Sequence, residues 1–298
     1  MPPPEPNPGT LWIVATPIGT LGDLSPRAGE VLGHVGLVLA EDTRRARALL
    51  SHLGLPAKGR LRSLHEHNEN AQVGALIEVL EGGISVALIS DAGTPVLSDP
   101  GYQLVRAVRR AGLKICSVPG ASSFTAALAA AGQPPLPATL CGFLPGRPGP
   151  RRRRIAELAS CPSTLVVLLS PHRLGRELAD LAEVLGGQRS ATLLAEISKL
   201  HERAVVGNLA ELAASAEAEH PRGEYILVVG PTGEEESPSD VSAESVRAEY
   251  RRALAGGANR REAMRATAIR LGLRRRVVFA MLAADNEDVP PPEPPLGH

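Results

Sequence analysis

Short apolar runs alternate with amphipathic stretches in the first part of the chain. The apolar runs, which have the length of strands, lie at residues 11–15, 36–40, 61–64, 84–89 and 113–118. Between them, apolar residues recur at helical spacing at residues 25–34, 43–53, 70–81 and 102–111. Because strands and helices alternate, this pattern predicts a mostly parallel sheet covered by helices. Ser25 and Pro26 fit the start of the first helix, as N-cap and first helical residue.

The same alternation continues after Val118-Pro119-Gly120, which we interpret as a hinge. Strand-like runs lie at residues 138–143, 164–169, 191–197 and 225–229. Helix-like stretches lie at residues 122–131, 151–159, 174–185 and 209–218. We therefore predict two α/β domains, an N-terminal one over residues 10–119 and a C-terminal one over residues 120–232.

A different pattern follows the second domain. Residues 234–240 are acidic and contain Ser and Pro, which is typical of a linker, and residues 241–255, 260–271 and 275–284 are purely helical in pattern. Gly272 is placed as a helix stop. We predict a helical extension over residues 240–286 that is compatible with a helix-turn-helix and equally with a simple helical hairpin. The proline-rich ends, residues 1–9 and 287–298, are predicted to be disordered tails.

Two proline-containing loops follow strand-like runs and precede helices. One begins at Thr16-Pro17-Ile18-Gly19, and the other begins at Ser90-Asp91-Ala92-Gly93-Thr94-Pro95 and continues to Gly101. An open α/β sheet binds ligands beyond the carboxyl ends of its strands, so these loops predict a small-molecule site. Asp91 alone fits a turn that caps its own backbone, but the length of this loop favours a cleft lining. The sequence contains no G-x-G-x-x-G after the first strand, no P-loop and no G-x-S-x-G, so dinucleotide, P-loop and α/β-hydrolase sites are poorly supported.

Other charged groups follow strand-like runs as well. Glu41-Asp42-Thr43-Arg44 fits both a helix start with acids at the favourable dipole end and a group of functional side chains at the same sheet edge. His65-Glu66-His67 invites a metal assignment, but H-x-H without a third anchored ligand is weak, and we predict polar contacts to a substrate and no metal. In Glu196-Ile197-Ser198-Lys199, the lysine is either solvated or faces the cleft. In the cleft its pKa could shift, so that Lys199 could assist proton removal.

Composition limits the classes of partner. The formal net charge is zero, yet all but three of the 32 basic residues are arginine, in local clusters that could meet phosphate. Aromatic residues make up only 2%, so a base-stacking surface is not expected. Three scattered cysteines fit a reducing compartment, and no apolar run is long enough to span a membrane. We predict a cytoplasmic location.

Taken together, the motifs resemble those of the ribosomal RNA small subunit methyltransferase I family, in the right order over about residues 10–285. The motifs that carry this resemblance are Ala15 to Gly19, Ala40 to Arg44, His65 to Glu69, Ser90 to Pro100, Val118 to Gly120, Gly142 to Pro145, His172 to Leu174, Glu196 to Lys199 and Gly223-Glu224. The resemblance implies a tetrapyrrole-methylase fold with S-adenosylmethionine bound between two α/β domains, and a homodimer. It also implies 2′-O-methylation of a cytidine in the decoding region of 16S ribosomal RNA, within the 30S subunit.

The resemblance also implies roles for individual residues. Cofactor contacts are expected from Pro17, Asp91, Ala92, Gly93, Thr94, Pro95, Ser122, Ser123 and Leu169. For the hydroxyl proton our hypotheses are Lys199 or Glu196, then Asp42 and Glu66. RNA contacts are expected from Arg44, His65, His67, Arg151, Arg152, Arg153, Arg154, Arg274, Arg275 and Arg276.

The chain departs from the family pattern in three places. Thr20 stands where asparagine is usual, Leu168-Leu169 replaces an aromatic-acid pair with Pro171 following, and His201-Glu202 replaces an aromatic-Glu pair. Two alternatives stay open. One is methylation of a tetrapyrrole or another small metabolite, which the arginine-rich helical extension disfavours. The other is a non-enzymatic RNA-binding protein that keeps the fold, which the intact loops disfavour.

Overall fold

The computed structural model describes residues 8–216, 222–232, 242–271, 273 and 275–283. Its contacts divide the chain into one compact unit up to Pro231 and another from Thr232. The predicted linker at 234–240 and both predicted tails, apart from residues 8 and 9, lie outside the described residues. Gly9 is buried and its N–H donates to the Leu80 carbonyl at 2.7 Å, so the chain has joined the first domain by this residue.

The first sheet is parallel throughout, as the alternation predicts. Its strands are β1 (Thr10–Val14), β2 (Leu37–Ala40), β3 (Leu61–Ser63), β4 (Val86–Ile89) and β5 (Lys114–Val118), in the order β3-β2-β4-β1-β5. Its helices are α1 (Pro26–His34), α2 (Thr43–His52), α3 (Glu69–Glu81) and α4 (Tyr102–Arg110). One apolar core packs α1 and α2 on one face, and a second packs α3 and α4 on the other. Both faces are therefore covered, which explains why β2 and β4 are apolar at every position.

Strand order brings the two proline-containing loops together. β1 and β4 are neighbours at the centre of the sheet, so the loops that follow them leave the same edge side by side. Thr16 and Gly93 exchange two backbone hydrogen bonds, of 2.8 and 3.0 Å. This pairing continues the contact between the strands into the loops and fixes their relative position.

The second sheet is mixed. Its strands are β6 (Ala138–Phe143), β7 (Thr164–Leu169), β8 (Ser190–Ala195), β9 (Arg203–Asn208) and β10 (Tyr225–Val229), in the order β6-β7-β10-β8-β9. Only the pair β6 and β7 is parallel. Helix α5 (Ser123–Ala130) covers one face, and α6 (Pro148–Ala159), α7 (Leu174–Leu185) and α8 (Leu209–Ala216) cover the other.

Strand β9 is absent from the sequence-based prediction. It is an edge strand whose first four residues are all exposed, and Val206 is 72% exposed. Because neither face is buried there, the sequence shows no alternation of apolar and polar residues. The other nine strands were predicted, and their observed bounds lie within two residues of the prediction.

The unit from Thr232 contains three described helices, α9 (Ala243–Ala255), α10 (Arg260–Arg270) and α11 (Arg275–Ala283). Ser242 caps α9 by accepting from the N–H of Ser245, and Asn259 and Glu262 cap each other's backbone N–H at the start of α10. The helices share one small core that includes Tyr250 and Met264. Gly272 lies outside the described residues, and the helix-turn-helix assignment stays a prediction. No helix in the described ranges is long and apolar enough to cross a membrane.

Candidate active site

Two adjoining cavities of about 380 and 410 Å³ lie where the loops of the two sheets meet. Five residues line both cavities: Ile18, Arg45, Asp91, Ala92 and Glu224. Volumes of roughly 300–1,000 Å³ are typical of small-molecule sites. A single elongated ligand could therefore contact loops from both domains.

The loop that follows β4 forms the floor of this site through its own hydrogen bonds. The hydroxyl of Ser90 donates to the Gly93 carbonyl at 2.8 Å, and the hydroxyl of Thr16 donates to the Ser90 carbonyl at 3.1 Å. Gly93 has a φ of 81°, and a Cβ there would lie 3.3 Å from the Ile18 side chain. The glycine therefore allows the close approach of the first loop.

Further along the same loop the backbone is strained. Val96 and Ser98 adopt φ values of 76° and 69°, which is a genuine outlier for the β-branched valine. Such residues cost on the order of 1–3 kcal/mol each and cluster at functional sites. The loop is thus held in a shape that its own residues do not favour, with Asp99 directly after the second strained position.

Asp91 is held from two sides. Its Oδ1 accepts from the backbone N–H of Asp42 at 3.1 Å, and its Oδ2 lies 3.6 Å from Nη1 of Arg45. These contacts connect the β4 loop to the start of α2, which follows β2. The Asp91 carboxylate therefore lines the cavity in a fixed position, and the nearby guanidinium of Arg45 balances part of its negative charge.

Asp42 serves the structure of α2. It is the N-cap, accepting from the N–H of Arg44 at 2.8 Å, and it also forms a two-pronged ion pair with the Arg44 guanidinium. The side-chain hydrogen bond from Arg44, followed by the backbone one, holds the pKa of Asp42 far below its usual range. Asp42 does not line either cavity.

Asp99 and Glu41 show the opposite shift. Burial, together with the nearby carboxylates of Glu41 and Asp91, raises the pKa of Asp99 to about 6. Burial also raises the pKa of Glu41, together with Asp91 and Glu66. Of these two residues only Asp99 lines the 410 Å³ cavity.

The second sheet contributes a compact ion-pair network. Nζ of Lys199 lies 3.0 Å from Oε1 of Glu196 and 3.2 Å from Oε2 of Glu224, and the same Glu196 oxygen accepts from the Glu224 N–H at 2.8 Å. Burial acts to lower the pKa of Lys199, but its hydrogen bonds to Glu196 and Glu224 outweigh burial and raise it. Lys199 is therefore an ammonium ion. The hypothesis that Lys199 assists removal of the hydroxyl proton stays a prediction.

The first loop and the loop after β8 are fastened to each other. Thr20 donates its hydroxyl to the Ser198 carbonyl at 2.6 Å and its N–H to the Ser198 hydroxyl at 3.3 Å, and that hydroxyl also donates to Asp23. A Cβ on Gly19 would lie 2.6 Å from the Ser198 carbonyl oxygen, so the residue must be glycine. The departure from the family pattern at Thr20 thus falls on a contact between the two sheets.

Most of the predicted cofactor contacts line this region. Pro17, Asp91, Ala92 and Leu169 line the two main cavities, and Gly93, Thr94, Ser122 and Ser123 line an adjoining recess of about 30 Å³. Ser123 also lines the larger of the two main cavities. Pro95 is buried and lines none of the three.

The predicted substrate contacts at the HEH motif lie away from the cavity lining. Glu66 and His67 are exposed, and the rings of His65 and His67 meet edge to face with centroids 6.0 Å apart. None of the three lines either main cavity. In the described part of the chain, no group of three or more His, Cys, Asp or Glu residues is arranged to hold a metal ion.

The arginines proposed to contact RNA differ in exposure. Arg151 is only 3% exposed and pairs with the buried Asp180 at 2.6 Å, and its contact with phosphate stays a prediction. Arg152 and Arg153 are exposed and Arg154 is half-buried; Arg152 pairs with Glu183 on α7, and Arg154 pairs with Glu157 on α6. Arg44 is exposed at the start of α2. Arg274 and the side chains of Arg275 and Arg276 lie outside the described residues.

Several lining residues were not proposed as site residues from the sequence, among them Arg45, Asp99, Phe143 and Glu224. Each stands in or next to a quoted motif, which was the available signal. What the sequence lacked was the strand order, because only the fold brings Phe143 and Glu224 of the second sheet opposite Arg45 and Asp99 of the first.

Known proteins share this architecture. The sequence matches the model of the tetrapyrrole (corrin/porphyrin) methylase family over residues 10–213. Ribosomal RNA small subunit methyltransferase I of Xylella fastidiosa (strain Temecula1) is 47% identical over 225 residues, 75% of this chain and 82% of that protein. The protein of the same name from Synechocystis sp. is 38% identical over 273 residues, 92% of this chain and 97% of that protein.

Solved structures resemble the chain over about three quarters of its length. Uroporphyrin-III-C-methyltransferase from Thermus thermophilus superposes with a TM-score of 0.51 at 26% identity, covering 74% of this chain and 94% of that one. Diphthine synthase superposes with a TM-score of 0.60, covering 74% and 90% of the two chains. At 16% identity the second similarity concerns the fold alone.

Proposed function

Because this chain belongs to the ribosomal RNA small subunit methyltransferase I family of the tetrapyrrole methylases, we propose that it methylates a ribose hydroxyl of ribosomal RNA. The methyl donor is S-adenosylmethionine, and the acceptor is the 2′-hydroxyl of a cytidine in the decoding region of 16S ribosomal RNA. The observation that supports this best is the pair of adjoining cavities, which are lined by loops of both sheets and by the acidic residues Asp91, Asp99 and Glu224.

The lining suits a donor with a sulfonium and an ammonium group. Carboxylates stabilise nearby positive charge, and Asp91 of the β4 loop and Glu224 before β10 lie on different sides of the fold around the cavity. Leu97, Phe143, Leu168 and Ile226 give the same cavity apolar walls against which an adenine ring could pack. The donor supplies an activated methyl group together with its leaving group, so the protein's task is alignment of the hydroxyl and exclusion of water.

The chain's own residues would divide this work. The Ser90–Gly93 and Thr16–Gly93 hydrogen bonds hold the first two loops rigid, and the Thr20–Ser198 contacts keep the loop after β8 against them. Lys199 holds Glu196 and Glu224 in place as an ammonium ion. A rigid wall on each side of the cavity keeps the reacting groups in line, which can account for much of a methyl-transfer rate.

Exposed arginines would meet the RNA backbone. Arg44 lies at the start of α2, close to the cavity residue Arg45, and Arg153 is exposed on α6. The assembled 30S subunit as substrate and a homodimeric enzyme complete the proposal, on the strength of the family resemblance. RNA affinity should then fall steeply with salt, by roughly tenfold or more over a physiological range.

The test uses the full chain and 30S subunits from cells that lack it. Incubation with methyl-labelled S-adenosylmethionine should place label in 2′-O-methylcytidine of 16S RNA, detected after nuclease digestion and located by the resistance of the modified ribose to alkaline cleavage. Calorimetric titration of the donor into the protein alone should show binding. Label in a base, or in an added tetrapyrrole and not in RNA, would contradict the proposal.

A further inference from the structure

Asp99 differs from the other acids around the cavity in having no partner. Across the described residues, no hydrogen-bond donor or cation contacts its carboxylate, and the only charges that influence it are those of Glu41 and Asp91. It is nevertheless half-buried. A desolvated carboxylate without a donor is costly in a folded protein, which makes its retention informative.

The other acids that line the two cavities, Asp91 and Glu224, are occupied, and so are their neighbours Asp42 and Glu196. Asp42 is paired with Arg44, and Asp91 is held by Arg45 and by the N–H of Asp42. Glu196 and Glu224 share the ammonium of Lys199. A carboxylate that is already hydrogen-bonded to a cation is a weak proton acceptor, because protonation would break that contact.

Asp99 is also in the right place. It lines the 410 Å³ cavity and the 30 Å³ recess, so it lies where the two meet. Ser123, Leu97 and Leu168 line both spaces with it, and Phe143 of the second sheet lines the larger one. The left-handed backbone at Val96 and Ser98 fixes the loop on which it stands.

We propose that the Asp99 carboxylate is the general base that accepts the proton of the ribose 2′-hydroxyl, a role that rests on the proposed function. As the hydroxyl oxygen forms its bond to the methyl carbon, the O–H proton passes to an Oδ atom of Asp99. The carbon–sulfur bond breaks with its electron pair on sulfur, which leaves a neutral thioether. The proton on Asp99 then passes to solvent, so charge and atoms balance.

The protonation behaviour of the site agrees with this role. With its pKa raised to about 6 by burial and by Glu41 and Asp91, Asp99 is mostly ionised at pH 7 to 8 yet more basic than an ordinary carboxylate. Lys199, with a raised pKa, carries its proton in the same range. The other titratable or charged groups that line the Asp99 cavity are Arg45, Asp91, Glu224 and Tyr225.

The decisive variant is Asp99→Asn, which keeps the size of the side chain and removes its basicity. Under single-turnover conditions with saturating donor, we expect its methyl-transfer rate to fall by about 10²–10⁴, the contribution typical of a general base. The donor Kd, measured by calorimetry on the protein alone, should stay within about threefold. Asp99→Glu should retain part of the rate that Asp99→Asn loses. Glu81→Gln, which removes the charge of an exposed carboxylate on α3, should have the wild-type rate.

The pH profile gives a second readout. The wild-type rate should rise with pH through about 6 and then level off, as Asp99 ionises, and this rise should be absent from the residual rate of Asp99→Asn. A merely structural role for Asp99 would lower the rate without removing the rise.

Three outcomes would overturn the assignment. Full activity of Asp99→Asn, with an active wild type, removes the base role alone. A donor Kd raised more than about tenfold with an unchanged saturated rate would make Asp99 a binding group for the donor's positive charge. A wild-type enzyme that makes no 2′-O-methylcytidine would defeat the proposed function itself, and with it this role.

Discussion

The loops that follow β4 and β8 both line the 380 Å³ cavity, and both contain residues with left-handed backbone conformation. They differ in whether their charged side chains have partners. The loop after β4 carries left-handed residues at Val96 and Ser98, and the loop after β8 carries them at Glu196 and Ser198. In the first loop the strained segment leads to Asp99, which has no partner among the described residues. In the second, Glu196 and Lys199 are paired with each other, and Lys199 is also paired with Glu224.

This difference between the two loops indicates that one of them carries a reactive group and the other closes the site. A strained backbone holds a group that the surroundings do not stabilise, as in the β4 loop, or it bends a chain so that its side chains reach one another, as in the β8 loop. Glu196, Lys199 and Glu224 form such a set, and Ser198 reaches the first domain through Thr20. We infer that the β4 loop supplies the chemistry and the β8 loop supplies the wall.

Among the variants that test this comparison, Gly223→Ala should lower the free energy of unfolding the most, because its Cβ would fill space that the Glu196 side chain occupies. Gly223 has a φ of 91°, and a Cβ there would lie 2.3 Å from Oε1 of Glu196. The variant must bear a left-handed alanine and displace a carboxylate that accepts two hydrogen bonds. We expect a loss of roughly 2–4 kcal/mol in the free energy of unfolding by urea, and weaker donor binding.

Gly112→Ala is the matched control for this change. Gly112 also has a positive φ, of 69°, but a Cβ there would meet nothing within 4 Å. Its cost should be that of the backbone alone, about 1–2 kcal/mol, with unchanged donor binding. Equal losses of stability for the two variants would show that the Glu196 network contributes nothing beyond backbone strain.

Asp99→Asn should change the free energy of unfolding by less than Gly223→Ala does, and it should raise that free energy where Gly223→Ala lowers it. Because the folded pKa of Asp99 is about 6 and the unfolded value is near 3.8, the folded state binds more protons between these values. The stabilising contribution of the protonated group is therefore fully present below pH 3.8 and is lost as pH rises through about 6. Neutral asparagine should make the protein more stable than wild type at pH 8 by about 1–3 kcal/mol, with little difference at pH 4.

Urea unfolding at several pH values measures this difference. A variant less stable than wild type at pH 8 would mean that Asp99 has a stabilising partner, and that the contrast between the two loops is wrong. Together with the loss of rate expected for the same variant, a gain of stability would identify Asp99 as a group retained at the expense of stability for its reactivity.

The sequence predicted the fold more completely than the site, for a physical reason. Nine strands are at least partly buried and were predicted from apolar runs, whereas β9 begins with four exposed residues and shows no such run. The family, confirmed by its relatives, follows from motifs that are local in sequence. The ionisation of Lys199 and Asp99 depends on which groups the strand order places beside them, and Glu224 is 25 residues from Lys199 in the chain. Arg151 is likewise buried by a partner on another helix, Asp180 of α7.

Thr20→Val should give the smallest effect and tests the fastening of the two loops. It removes the hydroxyl that donates to the Ser198 carbonyl at 2.6 Å but keeps the size and branching of the side chain. Because Thr20 is exposed and water can replace the lost donor, we expect a cost of about 0.5–1 kcal/mol in the free energy of unfolding. Thr20→Ser keeps the hydroxyl and should remain within a few tenths of a kcal/mol of wild type. If the two variants are equally stable, the Thr20–Ser198 contact does not hold the wall, and closure of the site must rest on the tight approach of Gly19 alone.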